Sequence, residues 1–213
     1  MFRLAVFVSG GGTNLQALLD RIADGTLENI SIDLVIASKP GTRAQQRAEQ
    51  AGIEFFVMER SRYESTEAFD QALTDLLADR PVDLIVLAGF MCLLGPQLVQ
   101  AYRNRIINIH PSLIPAFCGH GLYGIRPHQA ALEYGVKLSG ATVHFVDEQY
   151  DTGPILLQKS VIVRNDDTAE LLQKRVMEEA EQIILPQAVR MIAAGQVRIE
   201  GRRTVILEEN END

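Results

Sequence analysis

Residues 2–25 read FRLAVFVSGGGTNLQALLDRIADG: an apolar run, three consecutive glycines and a segment with helical spacing. A strand that ends in a glycine turn and leads into a helix opens many doubly wound α/β proteins, which bind ligands at the carboxyl ends of their strands. Further apolar runs at 31–38, 53–58 and 82–89 alternate with helical patterns. This alternation predicts an α/β fold, Rossmann-like, with a mostly parallel, doubly wound sheet.

The second half of the chain follows a different pattern. A loop rich in proline and glycine occupies 111–127 and precedes a short helical segment. Two strand-like runs, 137–146 and 154–163, are joined by a turn and predict an antiparallel edge of the sheet. The helical pattern at 168–195 predicts one long helix, which we expect Pro186 to kink.

The composition narrows the range of functions. The 213 residues carry 20 Lys and Arg against 28 Asp and Glu, a net charge of −8, which argues against a broad nucleic-acid surface. No apolar run approaches the roughly 20 residues that cross a bilayer, and the N-terminal residues lack the cleavage pattern of a signal peptide. Cys92 and Cys118 form neither a CxxC pair nor a metal-binding spacing. We therefore expect a cytoplasmic protein with reduced thiols and no membrane or nucleic-acid partner.

The glycine loop SGGGTN (9–14) is suited to an anion. Glycines let backbone N–H groups approach a phosphate, and the start of the next helix adds partial positive charge. A dinucleotide fingerprint counted from Gly10 needs a third glycine where Leu15 stands, and a P-loop needs a lysine that is absent between Arg3 and Lys39. A site for one phosphate and a turn that binds nothing both remain open.

The second signal is the NxH pair in RIINIHPSLIP (105–115). Asn108 and His110 lie two residues apart on an extended run, so their side chains share a face. An amide beside an imidazole suits stabilisation of an oxyanion and proton transfer near neutral pH. Asp151 could orient the imidazole and raise its pKa. The alternative is that His110 only satisfies loop carbonyls. We interpret His144, which lies inside a strand pattern, as a packed or supporting histidine.

Other catalytic classes lack their motifs. The four histidines, His110, His120, His128 and His144, form no HExxH motif, and no Cys/His pair has zinc spacing, so we expect no metal. Ser112 lacks the G-x-S-x-G context of a nucleophilic serine.

Four motifs in this order, SGGGTN, LAGFM, NIHPSLIP and HFVDEQYDTGPIL, give the chain a resemblance to the phosphoribosylglycinamide formyltransferases. The resemblance covers nearly the whole chain and implies the formyltransferase variant of the Rossmann-like fold. It further implies transfer of the formyl group of 10-formyltetrahydrofolate, a co-substrate, to the amine of 5-phosphoribosylglycinamide in de novo purine synthesis. The resemblance implies no metal in this reaction.

The resemblance also implies roles for individual residues. Asn108, His110 and Asp151 match the catalytic set, in which protonated His110 and the Asn108 amide stabilise an oxyanion and Asp151 keeps His110 cationic. The substrate phosphate and ribose are expected at Gly12, Thr13, Asn14 and Glu181. The folate is expected at Met91, Cys92, Leu93, Leu94, Asn108, Val146 and Asp147.

Two features depart from the family pattern. The loop FCGHGLYGIRPHQAAL (117–132) is longer than in the best-known members. Thr66 stands where the family often has a basic residue that contacts folate, and Arg62 is the candidate replacement. We expect a single domain over 1–213. It comprises a phosphate-binding half (1–100), a catalytic and folate-binding half (101–195) and a C-terminal tail (196–213) whose acidic end frays.

Rival functions remain for such a chain. A methionyl-tRNA formyltransferase would need a second, basic domain. A formyltetrahydrofolate hydrolase, which gives the formyl group to water, resembles the core closely but has a different first loop. A non-catalytic metabolite-binding module is the third reading. The sequence leaves the oligomeric state open, with a homodimer among the options.

Overall fold

The computed structural model describes residues 1–207. Within that range the strands form one nine-stranded sheet in the order β3-β2-β1-β4-β5-β6-β7-β9-β8. The strands are β1 (Phe2–Val8), β2 (Ile30–Ala37), β3 (Glu54–Val57), β4 (Leu84–Leu87), β5 (Ile106–His110), β6 (Leu138–Phe145), β7 (Ile155–Ile162), β8 (Val197–Glu200) and β9 (Arg203–Ile206). Strands β1 to β5 pair in parallel, while β6 pairs antiparallel with both β5 and β7. The predicted fold class is confirmed.

Helices cover both faces of this sheet. They are α1 (Thr13–Ala23), α2 (Arg43–Gln50), α3 (Thr66–Ala78), α4 (Pro96–Ala101), α5 (Arg126–Tyr134), α6 (Ala169–Val176) and α7 (Gln182–Ala193). The first strand shows why two layers are needed: Leu4, Val6 and Val8 pack in one core cluster, while Ala5 and Phe7 pack in the other. All five are fully buried, so β1 is apolar on both sides, as a central parallel strand must be. Helices α3 and α4 cover the side of Phe7, and α1, α2, α5, α6 and α7 cover the other.

The last long helix differs from the prediction. The segment that we expected as one kinked helix is interrupted at Met177–Glu181 by a π-helical turn, five residues before Pro186. Pro186 lies inside α7, where it has no N–H to give to the carbonyl one turn earlier. A π turn adds a residue to the helical repeat and redirects the side chains that follow.

The C-terminal segment also differs from the expected tail. Residues 197–206 form the hairpin of β8 and β9, and β9 contacts β7 in the sheet. The acidic end, 208–213, lies outside the described residues.

Candidate active site

A cavity of about 350 Å³ opens at the carboxyl ends of β1, β4 and β5. Its walls come from the glycine loop, the segment after β4, the end of β5, the long loop before α5 and the loop between β6 and β7. Parallel strands bring their carboxyl ends to one edge, which is where this class of sheet binds ligands. The motifs singled out in the sequence therefore meet around one space.

The glycine loop forms one wall. Gly12 precedes α1 with φ at 68°, in the left-handed region that favours glycine. A Cβ on Gly12 would come within 2.8 Å of the Ala44 Cβ on α2, so the loop also needs glycine for close packing. Backbone N–H groups of Gly12, Thr13 and Asn14 make no hydrogen bond to another described residue. They resemble an anion cradle at a helix start.

Glu181 reaches this wall from the far end of the chain. It is the last residue of the π turn, and its carboxylate accepts a 2.7 Å hydrogen bond from the Asn14 amide. Burial raises the pKa of Glu181 to about 6, against the opposing effect of the Asn14 hydrogen bond. The structure thus brings together all four residues expected at the phosphate and ribose.

Asn108, His110 and Asp151 also meet, and His144 joins them. The register of β5 on β6 places Asn108 opposite His144, and their side chains are 3.1 Å apart. The His144 Nδ1 lies 2.8 Å from the Phe145 carbonyl, which can only accept, so Nδ1 carries the proton. The other ring nitrogen, Nε2, faces both the Asn108 amide and the Asp151 carboxylate. His144 is therefore a supporting histidine that orients Asn108.

Asp151 lies between the two histidines. Its Oδ2 is 3.6 Å from the His110 Nδ1 and its Oδ1 is 3.5 Å from the His144 Nε2. The Asp151 carboxylate also accepts a 2.8 Å hydrogen bond from the Gly119 N–H. Burial raises the pKa of Asp151, but the two histidines and Gly119 together bring it below its ordinary value. Asp151 is consequently an anion at neutral pH.

Two opposing effects act on the pKa of His110. Asp151 does raise its pKa, but the larger effect of burial lowers the pKa of His110 below its ordinary value. The His110 Nε2 lies 3.1 Å from the Phe117 carbonyl and therefore donates to it. His110 therefore has an acceptor near each ring nitrogen, the Phe117 carbonyl at Nε2 and the Asp151 carboxylate at Nδ1.

The segment after β4, where the resemblance implies that folate binds, forms another wall of the cavity. Met91, Cys92, Leu93 and Leu94 all line the cavity, and the Met91 N–H donates to the Ser9 hydroxyl at 2.8 Å. That hydrogen bond fastens this wall to the glycine loop. Val146 and Asp147 line the cavity from the opposite loop. Asp147 also holds its own loop, because its carboxylate accepts from the Thr152 hydroxyl at 2.6 Å.

Arg62 is not brought to the cavity. Its guanidinium pairs with Glu59, and 72% of the side chain is exposed. The neighbouring Arg60 instead donates to the Thr66 hydroxyl at 3.0 Å, at the position where the family often has a basic residue. The expected substitution of Arg62 for that residue finds no support in the geometry.

The long loop contacts the cluster of Asn108, His110 and Asp151. Gly119 holds Asp151, and the rings of His120 and Tyr150 meet edge to face at 5.6 Å. His128, at the start of α5, was not singled out in the sequence. It lines the cavity, is fully buried, and neither ring nitrogen has a partner among the described residues. Burial first, and nearby His110 second, lower its pKa to about 4. Sequence alone could not separate this histidine from a packed one.

Within residues 1–207, no group of three His, Cys, Asp or Glu side chains could hold a metal ion. No helix in the same range has the length and apolar character needed to cross a membrane.

An NxH pair and a half-buried aspartate thus line a cavity at the strand ends of a Rossmann-like sheet. The chain belongs to the formyl transferase family, which matches residues 2–189. Among solved structures, glycinamide ribonucleotide transformylase 1 from Symbiobacterium toebii is 44% identical with a TM-score of 0.91, over 98% of this chain and 95% of that one. A formyltetrahydrofolate deformylase from Pseudomonas syringae is 29% identical with a TM-score of 0.87, over 97% of this chain and 66% of that one.

The curated relatives carry a more particular name. The phosphoribosylglycinamide formyltransferase of Bacillus subtilis is 43% identical over 176 residues, which are 83% of this chain and 87% of the relative. The chloroplastic phosphoribosylglycinamide formyltransferase of Arabidopsis thaliana is 43% identical over 182 residues, or 85% of this chain. The match spans 62% of that Arabidopsis protein, less than two thirds of its length.

Proposed function

We propose that this chain transfers the formyl group of 10-formyltetrahydrofolate to the amine of 5-phosphoribosylglycinamide. The products are the formylated glycinamide ribonucleotide and tetrahydrofolate. One observation carries the proposal: a single cavity joins the free amides of the glycine loop to the cluster of Asn108, His110 and Asp151. Strand β4 separates β1 from β5, so the two groups lie two strand spacings, roughly 10 Å, apart.

The glycine loop binds the phosphate of the acceptor. Its free N–H groups and the start of α1 attract an anion, and no lysine or arginine stands among the described residues that line the cavity. Asn14 and Glu181 then bind the ribose hydroxyls, since a carboxylate accepts hydrogen bonds and the amide can give or accept them. The folate occupies the wall formed by 91–94, Val146 and Asp147.

In the chemical step, the cluster of Asn108, His110 and Asp151 supplies hydrogen-bond donors and a proton carrier. The acceptor amine attacks the formyl carbon, and the carbonyl π electrons move to oxygen. Asn108 Nδ2 and His110 Nε2 donate to that oxyanion. A neutral His110 can already donate through Nε2, provided it releases the Phe117 carbonyl when substrate enters. The proton of the attacking amine passes through Asp151 or a water to the folate nitrogen, and the bond from that nitrogen to the formyl carbon breaks.

A formyltetrahydrofolate hydrolase is the second candidate, because a deformylase shares the fold. The cradle of free amides favours a phosphorylated acceptor over water. A binding module without catalysis is the third. The free thiols Cys92 and Cys118 are in keeping with a cytoplasmic enzyme, and a homodimer is an open option.

One assay separates the candidates. The protein is incubated with 10-formyltetrahydrofolate, with and without phosphoribosylglycinamide, and tetrahydrofolate release is followed. We expect release only with the acceptor. Release without it would establish a hydrolase, and no release in either case would leave a binding module.

A further inference from the structure

Arg47 holds the glycine loop from outside the cavity. It lies on α2, and its Nε donates to the Gly11 carbonyl at 3.1 Å. Its Nη1 donates to the Gln16 side chain on α1. Its Cδ lies 3.4 Å from the place where a Cβ on Gly12 would stand. Arg47 does not line the main cavity, so it supports the loop from the side of α2.

The contact with Gly11 determines the direction of the next amide. The Gly11–Gly12 peptide is trans, since the one cis bond in the described chain joins Ile114 to Pro115. In a planar trans peptide the carbonyl and the following N–H point in opposite directions. A Gly11 carbonyl turned toward Arg47 therefore turns the Gly12 N–H away from α2. That N–H is among the loop amides that make no hydrogen bond to another described residue.

We propose that Arg47 is a positioning residue that fixes the Gly11–Gly12 peptide so that the Gly12 N–H points at the phosphate of the acceptor. This inference rests on the phosphate site in the proposed function. Glycine-rich backbone has many accessible conformations, and the loop could otherwise flip this peptide and present a carbonyl oxygen to an anion. The guanidinium prevents the flip because it has donors and no acceptor.

The charge of Arg47 adds to this effect. No carboxylate of the described residues lies within ion-pair distance of its guanidinium. Its positive charge is thus not neutralised by a neighbouring side chain, and it stands directly behind the loop. Arg47 supplies a favourable potential for phosphate without occupying space in the cavity.

The test compares the acceptor with its dephosphorylated form, glycinamide ribonucleoside. In the unaltered protein we expect kcat/KM to be much higher for the phosphorylated acceptor. Arg47→Gln should lower kcat/KM for the phosphorylated acceptor on the order of tenfold and leave the value for the dephosphorylated one nearly unchanged. The KM for 10-formyltetrahydrofolate should not move. Arg47→Lys, which retains the charge and a donor, should restore part of the discrimination.

Arg43→Gln is the matched control. Arg43 lies one turn earlier on the same helix, is exposed, and makes no hydrogen bond to the loop among the described residues, so its loss removes the same charge without freeing the peptide. It should leave the ratio of the two kcat/KM values unchanged. The proposal for Arg47 would be overturned if Arg47→Gln lowered kcat/KM equally for both acceptors, or lowered it for neither. Equal use of both acceptors by the unaltered protein would instead overturn the phosphate site itself.

Discussion

The amide of Asn14 donates a 2.7 Å hydrogen bond to the carboxylate of Glu181, across 167 residues of chain. Asn14 is buried on the first turn of α1, and Glu181 is buried at the end of the π turn. Burial raises the pKa of the Glu181 carboxyl group to about 6. Above that pH the folded protein carries a buried negative charge, which is available for substrate binding but lowers the stability of the fold.

Glu181→Gln should therefore separate stability from activity. The folded-state pKa of Glu181 is above its ordinary value of 4.5, so the wild type loses stability as pH rises from about 4.5 through 6. The amide keeps an acceptor for Asn14 but has no charge to bury. We expect the variant to gain about 2 kcal/mol in the free energy of unfolding at pH 8, with the gain shrinking toward pH 4.5. Urea unfolding at both pH values measures it, and a constant difference would contradict the assignment.

Glu181→Gln should lower activity although it raises stability. A ribose hydroxyl that donates to the carboxylate loses a charge-assisted hydrogen bond, which contributes about 1.5–3 kcal/mol. We expect a higher KM for phosphoribosylglycinamide and an unchanged KM for the folate. Steady-state kinetics with each substrate varied in turn checks this, and a change confined to the folate KM would place Glu181 elsewhere.

Asn108→Ala and His110→Ala should each lower kcat by a factor on the order of 10² to 10⁴, since each removes a donor to the oxyanion. Both residues lie near the carboxyl end of β5. Truncating either side chain should therefore leave the circular dichroism spectrum unaltered. Glu49→Ala, on the exposed surface of α2, serves as the control. Near-normal turnover in the His110→Ala protein would refute the catalytic assignment.

Asp151→Asn should lower the pKa of His110 further. The Asp151 charge is what raises that pKa against the larger effect of burial, so its removal leaves burial unopposed. Proton NMR titration of the imidazole signals measures the change, with the His110→Ala spectrum assigning the resonance. An upward shift in the Asp151→Asn protein would show that the carboxylate does not act on His110 through its charge.

Gly12→Ala and Gly11→Ala form a pair with opposite expectations. At Gly12 an alanine meets a positive φ of 68° and would place its Cβ 2.8 Å from that of Ala44. The cost is about 1–3 kcal/mol in the free energy of unfolding, together with weakened binding of the phosphorylated acceptor. At Gly11 nothing lies within 4 Å of an added Cβ, so the fold should tolerate it. Equal thermal stability of the two variants would contradict this account of the loop.

Local sequence patterns were sufficient to predict the fold and part of the candidate site. Alternation of apolar runs with helical spacing predicts a layered sheet because side-chain periodicity follows directly from backbone geometry. The same rule places Asn108 and His110 on one face of β5, and the glycines of the first loop predict its anion-binding character. Each of these inferences depends on residues that are close in sequence.

The chain order cannot reveal which distant groups become neighbours. The register of β5 on β6 brings His144 to Asn108, the π turn brings Glu181 to Asn14, and Arg47 reaches Gly11 from another helix.

What the sequence by itself determined is the layered fold, the glycine loop and the NxH pair, since these follow from spacing along the backbone. Only the tertiary structure decided the direction in which the pKa of His110 shifts. The sequence shows no burial around His110, so an acidic neighbour such as Asp151 predicts a raised pKa for its imidazole. The folded protein buries the ring, and loss of solvation outweighs the charge of Asp151. Burial and distance are properties of the assembled chain, so the electrostatics of this site had to come from the fold.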